Sequence, residues 1–420
     1  MDRPLTYNPT PRRSLHSPNR EPQFVPLAII AAVFIIVVAV VIALVLPMCS
    51  KAQEEKNEPV AQGPAYEGPV TFVAVGDNLP SEYVGYYADK LAGKEDDGKY
   101  DYTPIFEPLR SYVQNADLAY VKEEVHIGGD EIGPKGYPSF NTTDEMADAL
   151  IDIGFDFVAS ASNHAYDWGE SGALEHSVAL WETKPVAFTG TSTTEEQYNR
   201  IAMVERKGIK FALLDYTYGV GGYEKSTLPP YAVHFIDESL IRSEVARARE
   251  EGADVVMVAM HWGTENLTEA DDEQQRLAQL LADLDVDVVL GSHPHVIGPM
   301  AWVDNSNGKG HRTLVAYSLG NFQSDHESPN SINLLEGMLT CTFEMKPVEE
   351  GSDEYAVAIE DVKWIPLVNH SSEDRSEFAV YALPDYTDEL AKKNRVLKEE
   401  KDPIGWLKGK TDEIVGQEWL

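Results

Sequence analysis

Short apolar, β-branched runs that each end in a residue able to bind metal or move a proton constrain this chain most. VTFVAV (70–75) runs into Gly76 and Asp77, and FDFVAS (155–160) leads to Asn163 and His164. VVMVAM (255–260) ends at His261, and VDVVL (286–290) is followed by His293, Pro294 and His295. TLVAYS (313–318) leads to Gly320 and Asn321. Runs apolar on both faces suit a sheet covered on both sides. Helical spacing alternates with them. Thr142 and Glu145 form a capping-box pair ahead of Met146, Ala149, Leu150 and Ile153, and Leu277, Leu280, Leu281 and Leu284 precede the 286–290 run. The alternation predicts an α/β domain whose strand C-terminal ends converge on one ligand-binding rim. One histidine after one strand is more often structural than functional. Five strand ends finishing in Asp, Asn or His predict a site.

The chemistry of that site is bounded by what the chain lacks. Its two cysteines, Cys49 and Cys341, cannot build a zinc–thiolate cluster or a disulfide framework. Asp, Asn and several imidazoles suit a borderline divalent cation such as Zn, Mn or Fe. No GxSxG elbow, Walker loop or GxGxxG fingerprint competes. Acidic residues outnumber basic ones 70 to 34, a net charge of −36, which excludes general nucleic-acid binding.

Residues 27–46, LAIIAAVFIIVVAVVIALVL, carry no polar side chain. A helix of that length spans roughly 30 Å, the hydrocarbon core of a bilayer. Arg3, Arg12, Arg13 and Arg20 precede it against Asp2 and Glu21, which predicts a cytoplasmic tail at 1–26. Pro47 and Met48 stand before Cys49 where a lipoprotein signal needs small residues, so the span reads as an uncleaved signal anchor. The expectation is a single-pass protein of the cell membrane: a flexible stalk at 47–68, then an extracellular domain at 69–345. Residues 346–420 add a remaining sheet strand and a helical tail.

The motifs together resemble the CapA, or poly-γ-glutamate capsule biosynthesis, family, whose domain has the calcineurin-like metallophosphatase fold. The resemblance covers roughly residues 70–325. It rests on Val75-Gly76-Asp77, on Ala116-Asp117-Leu118 through Glu124, and on Gly154-Phe155-Asp156 through Asn163-His164. His261-Trp262-Gly263, His293-Pro294-His295 and Tyr317 through Phe322 complete it. It implies an α/β/β/α sandwich behind the N-terminal transmembrane helix. It implies metal ligands at Asp77, Glu124, Asn163, His261, His293 and His295, and His164 as a catalytic contact to the reacting group. Trp262 and Asn321 are expected to touch substrate. Two departures bear on the metal count. Asp77 is followed by Asn78-Leu79 where phosphatases of this fold have Asp-x-His, and Lys122-Glu123-Glu124 stands where the family has Asn-Leu-Glu. One complete cation position is expected, with a second left open.

The resemblance implies a role in making, exporting or anchoring poly-γ-glutamate or a similar capsule polymer. Two readings stand: a metal-dependent hydrolase or transferase, or a non-catalytic polymer-binding part of a synthase complex. Expected partners are the membrane, the anionic polymer or its precursor, and synthase subunits. Among the remaining features, the tyrosines at 83, 86, 87, 100 and 102 predict a loop over the core. Glycines 219, 221 and 222 predict a mobile loop near the rim, and the acidic run 349–354 a solvated turn. Residues 355–366 alternate like a strand, and helix follows Asp385.

Overall fold

Alternating side-chain direction along the fourteen strands of the described residues sorts their apolar side chains into three layers. The computed structural model describes residues 66–94, 97–308, 310–325, 330–348 and 355–420. The expected membrane span 27–46, most of the stalk and the acidic run 349–354 lie outside the described residues. Among the described residues, no helix is long and apolar enough to cross a membrane.

The chain first lays down β1 (Val70–Leu79), β2 (Leu118–Glu123), β3 (Phe157–Ala159) and β4 (Ala187–Thr189). It then builds a second sheet from β5 (Ala202–Arg206), β6 (Ile209–Thr217), β7 (Val255–His261), β8 (Val288–Ser292), β9 (Met300–Asp304) and β10 (Arg312–Ala316). It returns to the first sheet through β11 (Asn321–Ser324), β12 (Leu335–Pro347), β13 (Tyr355–Ser371) and β14 (Phe378–Ala382). The first sheet has the order β14-β13-β12-β1-β2-β3-β4 with β11 also on β1, and the second β5-β6-β7-β8-β10-β9. Residues 346–420 therefore add two strands where one was expected, and both continue the first sheet.

Phe72, Ala74 and Tyr120 face Phe211, Leu213, Met257, Ala259, Val288 and Leu290 between the sheets. The alternate residues Val73, Val75 and Val121 point outward. They meet helices α1 (Glu82–Leu91) and α2 (Glu145–Ile153) through Val84, Ala88, Met146 and Leu150. Helix α3 (Ala173–Trp181) adds Trp181 to the same layer. On the second sheet Val256, Val258 and Val289 meet α4 (Glu238–Glu250) and α5 (Asp272–Asp283) through Ile241, Val245, Leu277 and Leu281. Helices α6 (Asp388–Lys393) and α7 (Pro403–Ile414) place Ala391 and Leu407 in the cluster that runs between the sheets. The result is the α/β/β/α sandwich that the resemblance implied. The tyrosines at 83, 86 and 87 lie on α1, not on a loop.

Helix starts follow local chemistry. Asp271 caps α5 in a reciprocal box with Gln274, and Asp237 caps α4. The Thr142–Glu145 box does not form: α2 starts at Glu145 behind Asp144, with no side-chain cap. The two threonine hydroxyls are engaged instead by Tyr102, whose phenol oxygen lies 3.3 Å from Thr142 Oγ1 and from Thr143 Oγ1. Met146, Ala149, Leu150 and Ile153 are nevertheless buried, as their spacing predicts.

One ion pair ties the two sheets together. Lys122 of β2 donates from Nζ to Asp215 Oδ1 of β6 at 2.6 Å and to the Ala161 carbonyl at 2.5 Å, with both side chains fully buried. Asp215 Oδ2 accepts from the Ala161 N–H at 2.6 Å. Breaking one half of such a pair strands a buried charge. Lys122→Met is expected to cost about 3–5 kcal/mol in denaturant unfolding, with much of that recovered in Lys122→Met/Asp215→Leu. Equal losses in the single and double variants would mean the pair contributes only packing.

Candidate functional site

The layer between the sheets is apolar until its C-terminal end. There the inward positions next in register become polar: Lys122 follows Tyr120, Asp215 follows Leu213, and His261 follows Ala259. Asp77 has the wrong parity for this face, because Val73 and Val75 point outward. A β-bulge corrects it. Ala74 pairs with Tyr120 but Asp77 pairs with Lys122, three steps on β1 against two on β2. The extra residue re-aims Asp77 inward, a common use of bulges beside sites. Gly76 sits at the bulge, where a Cβ would lie 1.9 Å from the Gly320 carbonyl oxygen.

The structure brings Asp77, Glu124, Asn163, His261, His293 and His295 together. The His261 and His293 ring centroids are 4.9 Å apart, and those of His293 and His295 5.9 Å. His261 Nε2 lies 2.7 Å from Asn163 Oδ1, and its Nδ1 2.9 Å from Ser292 Oγ. Glu124 Oε1 is 3.8 Å from His261 Nε2, and Oε2 is 3.8 Å from His295 Nδ1. Asp77 Oδ2 accepts the His293 N–H at 2.9 Å. Asp77 Oδ1, both Glu124 oxygens and His293 Nδ1 are buried without a hydrogen-bond partner. Native interiors rarely strand such groups, each costing about 1–3 kcal/mol. A divalent cation fits this donor set. Asp77, Glu124 and His295 place ligand atoms within 4.8 Å of one another, as do Glu265, His293 and His295.

Burial dominates the electrostatics. It pushes the Asp77 carboxyl up to about 8, helped by Glu124 and opposed by His295 and Lys122. Burial likewise raises Glu124 to about 7, against His164 and Lys122. Glu123 rises to about 8 through burial, opposed by the hydrogen bond from Asn78. His293 is held down at about 3 by burial and by the neighbouring His295 and His164, and His261 lies well below the usual imidazole range for similar reasons.

Backbone geometry aims the two histidines of the triplet. His293 has φ 96° and His295 φ 57°, both in the left-handed half of the map, which non-glycine residues seldom adopt. His295 Nδ1 lies 2.9 Å from Asn321 Oδ1, a contact that fixes the orientation of the ring. Asn321 is itself fixed by its N–H to Glu336 Oε2 at 2.5 Å and is fully buried. It therefore orients a ligand, and the expected substrate contact is corrected. Trp262 is corrected too: it is 2% exposed, stacked on Tyr317, and donates from Nε1 to the Tyr317 carbonyl at 3.0 Å. It stands just past the end of β7 and continues that strand's alternation, in the outer-layer cluster with Val256 and Val258.

His164 lies at the rim with Nδ1 donating to Asp167 Oδ2 at 2.8 Å, and Phe140 packs edge-on at 4.8 Å. Burial works against its charged form, but the Asp167 hydrogen bond and the Glu124 charge outweigh that and hold its pKa above the ordinary value. Sequence reasoning missed Asp167, Tyr218 and Glu265. Tyr218 is 54% exposed, its ring 4.7 Å from that of His293 and parallel to that of His261. The signal for it was a sixth strand end, IKFALLDYT at 209–217, which also carries Asp215. The glycine loop beyond it reaches the rim, where the Gly221 N–H donates to the Asn163 carbonyl at 2.7 Å. Alongside lies a cavity of about 400 Å³, lined by Tyr137, Phe140, Asn266, Asn333, Asp325 and Arg375 among others.

The family described as bacterial capsule synthesis protein PGA_cap matches residues 71–326. The "PGA biosynthesis protein CapA" of Bacillus subtilis (strain 168) is 30% identical over 187 residues, 44% of this chain and 46% of that protein. The "Capsule biosynthesis protein CapA" of Bacillus anthracis is 23% identical over 266 residues, 61% of this chain and 60% of that protein. The chain thus spans between about half and three fifths of these curated relatives. Among solved structures, the calcineurin-like phosphoesterase YfkN of Bacillus subtilis overlaps 81% of this chain and 99% of its own, at 13% identity and a TM-score of 0.42. At that score the overlap carries nothing about function.

The buried acids make stability depend on pH in a defined direction. Burial holds His261 and His293 below the usual imidazole range and so neutral in the folded protein near neutral pH, whereas Glu124, Asp77 and Glu123 keep protons up to about 7, 8 and 8. Raised carboxyl pKa values give a contribution that is fully present below the ordinary values of 3.8 to 4.5 and is lost progressively as pH rises from there to the folded values of about 7 to 8. Metal-stripped protein should lose roughly 1.4 kcal/mol per pH unit for each such proton released. Mn²⁺ should raise the melting temperature more at pH 8 than at pH 6, since cations bind the ionised ligands. An identical pH slope with chelator and with Mn²⁺ would show that these acids do not meet a cation.

Proposed function

The chain belongs to the bacterial capsule synthesis protein family PGA_cap, and from that membership we propose a metal-dependent hydrolase or transferase that serves poly-γ-glutamate or a similar capsule polymer. One observation carries the chemical half of this reading: three buried carboxylate oxygens, on Asp77 and Glu124, have no hydrogen-bond donor while imidazoles stand beside them. A scaffold for binding alone has no physical need to strand them. Asp77, Glu124, Asn163, His261, His293 and His295 would hold the cation, which supplies Lewis acidity toward a phosphoryl or acyl oxygen.

The chain's own groups do the rest. His164 keeps its proton by virtue of Asp167 and is our general acid, delivering the proton from Nε2 to the leaving oxygen or nitrogen. Asp167 also accepts the Phe140 N–H at 2.8 Å, so the dyad is fixed to the wall of the adjoining cavity. Tyr218 offers an exposed flat face beside the histidines on which a substrate can settle. With a net charge of −36, the surface repels an anionic polymer, so productive contact is confined to the cation and the histidine cluster. We place the domain outside the cell on the 27–46 anchor, within reach of membrane-bound synthase subunits and of the growing or exported polymer.

Two experiments test this reading. His261→Ala and His293→Ala should lower metal affinity by at least about 100-fold and abolish turnover of phosphodiesters or γ-glutamyl amides, while Trp262→Phe stays near wild type. Wild-type protein that holds no metal yet supports capsule formation would leave the polymer-binding role in its place. Separately, protease added to intact cells should remove the domain, and full protection would refute the topology.

A further inference from the structure

We propose that Glu265 is a metal ligand that, with His293 and His295, holds a second divalent cation on the open side of the Asp77–Glu124 centre. The inference rests on the metal-site reading above and deepens it. The first strand lacks the histidine two residues after Asp77: Leu79 stands there, and Asn78 is turned to Glu123, donating from Nδ2 to Oε2 at 3.0 Å. A second position must draw its ligands from elsewhere.

Glu265 is placed to serve. Two backbone hydrogen bonds pin its loop to the histidine triplet, one on either side of it. The Trp262 N–H donates to the Ser292 carbonyl at 3.1 Å, and the Asn266 N–H to the Pro294 carbonyl at 2.8 Å. Asn333 holds both segments from outside, donating from Nδ2 to Asn266 Oδ1 at 2.8 Å and to the His295 carbonyl at 3.4 Å. Gly263 makes the turn at φ 87°, where a Cβ would lie 2.7 Å from the Gln274 side chain. The Glu265 carboxylate is exposed, makes no ion pair among the described residues, and is close enough to raise the pKa of Glu124, His164 and Tyr218.

The independent pointer is His293. It is 4% exposed, its Nδ1 is buried with no hydrogen-bond partner, and its backbone is held at φ 96°. Ligand atoms of Glu265, His293 and His295 lie within 4.8 Å of one another. Bonds of about 2.0–2.2 Å let two ligands of one ion stand at most about 4.4 Å apart, so closure by a few tenths of an ångström completes the site. Asp77 and Glu124 keep His261, and through it Asn163, beside them for the inner ion, at 3.7 and 3.8 Å from the His261 ring nitrogens. Two imidazoles and a carboxylate suit Zn or Mn and leave an open coordination position toward solvent.

The test counts ions. Metal-stripped full-length protein is titrated with Mn²⁺, with free Mn²⁺ followed by its EPR signal, and the melting temperature is recorded without metal. Two sites are expected in the wild type and one in Glu265→Gln, with the metal-free melting temperature unchanged because Glu265 is exposed. Asp77→Asn should lose the inner site and keep the outer one. Equal site counts in wild type and Glu265→Gln would overturn the proposal while leaving a single metal centre intact. A Glu265→Gln protein with no site from a one-site wild type would overturn it too. A wild type that binds no Mn²⁺ or Zn²⁺ would sink the metal reading itself.

Discussion

The Lys122–Asp215 ion pair sets the terms for everything above it. It lies where the apolar layer between the sheets gives way to polar residues, and it joins a strand of one sheet to a strand of the other. An ammonium at this depth needs full satisfaction, and it has it from Asp215 and the Ala161 carbonyl. Burial raises the Asp215 carboxyl and the adjacent ammonium opposes that rise. The same ammonium also tempers Asp77 and Glu124. Where a family asparagine would stand, the chain thus has a fixed positive charge that fastens the sheets and floors a cluster of acids.

The layers were legible in the sequence because burial on both faces writes itself as unbroken apolar runs. Asp77, His261, His293 and His295 could be read as a set because each follows such a run. What was hidden depended on partners distant along the chain. The bulge at Gly76 reverses the direction of Asp77 only through the β2 and β11 registers. Thr142 and Glu145 have the spacing of a cap, yet Tyr102, forty residues earlier, takes the hydroxyls. Trp262 and Asn321 were motif residues taken for substrate contacts. Strand parity turns the first outward, and the second is spent on orienting His295. Glu265 lies four residues beyond His261 in an ordinary polar loop, and only the hydrogen bonds to the triplet's backbone reveal which way that loop lies.

Charge divides the molecule into two regimes. Surface acids are solvated and screened, and at physiological salt their field fades within about 8 Å. The acids of the site are dry, so their repulsion is not screened in the same way and neutralisation must come from protons or cations. A polyanion of any kind approaching this protein meets repulsion at long range. In the cavity next to His164 the one arginine, Arg375, is already paired with Asp325.

The site holds its least comfortable features together. Two histidines of positive φ, a fully buried aspartate and a glutamate without donors lie within a few ångströms of one another. Backbone strain of this kind costs on the order of 1–3 kcal/mol per residue, and it persists only where the surroundings over-determine it. Here they do: Asp77 accepts the His293 N–H, Asn321 Oδ1 holds the His295 ring at Nδ1, and Ser292 Oγ holds the His261 ring at Nδ1. Every hydrogen bond in that set fixes the direction of a potential ligand, and none of them satisfies Asp77 Oδ1 or the Glu124 oxygens. A fold selected for stability alone would relieve those oxygens with one donor from a neighbouring strand. Leaving them bare while bracing everything around them is the arrangement that lets a cation bind with little reorganisation.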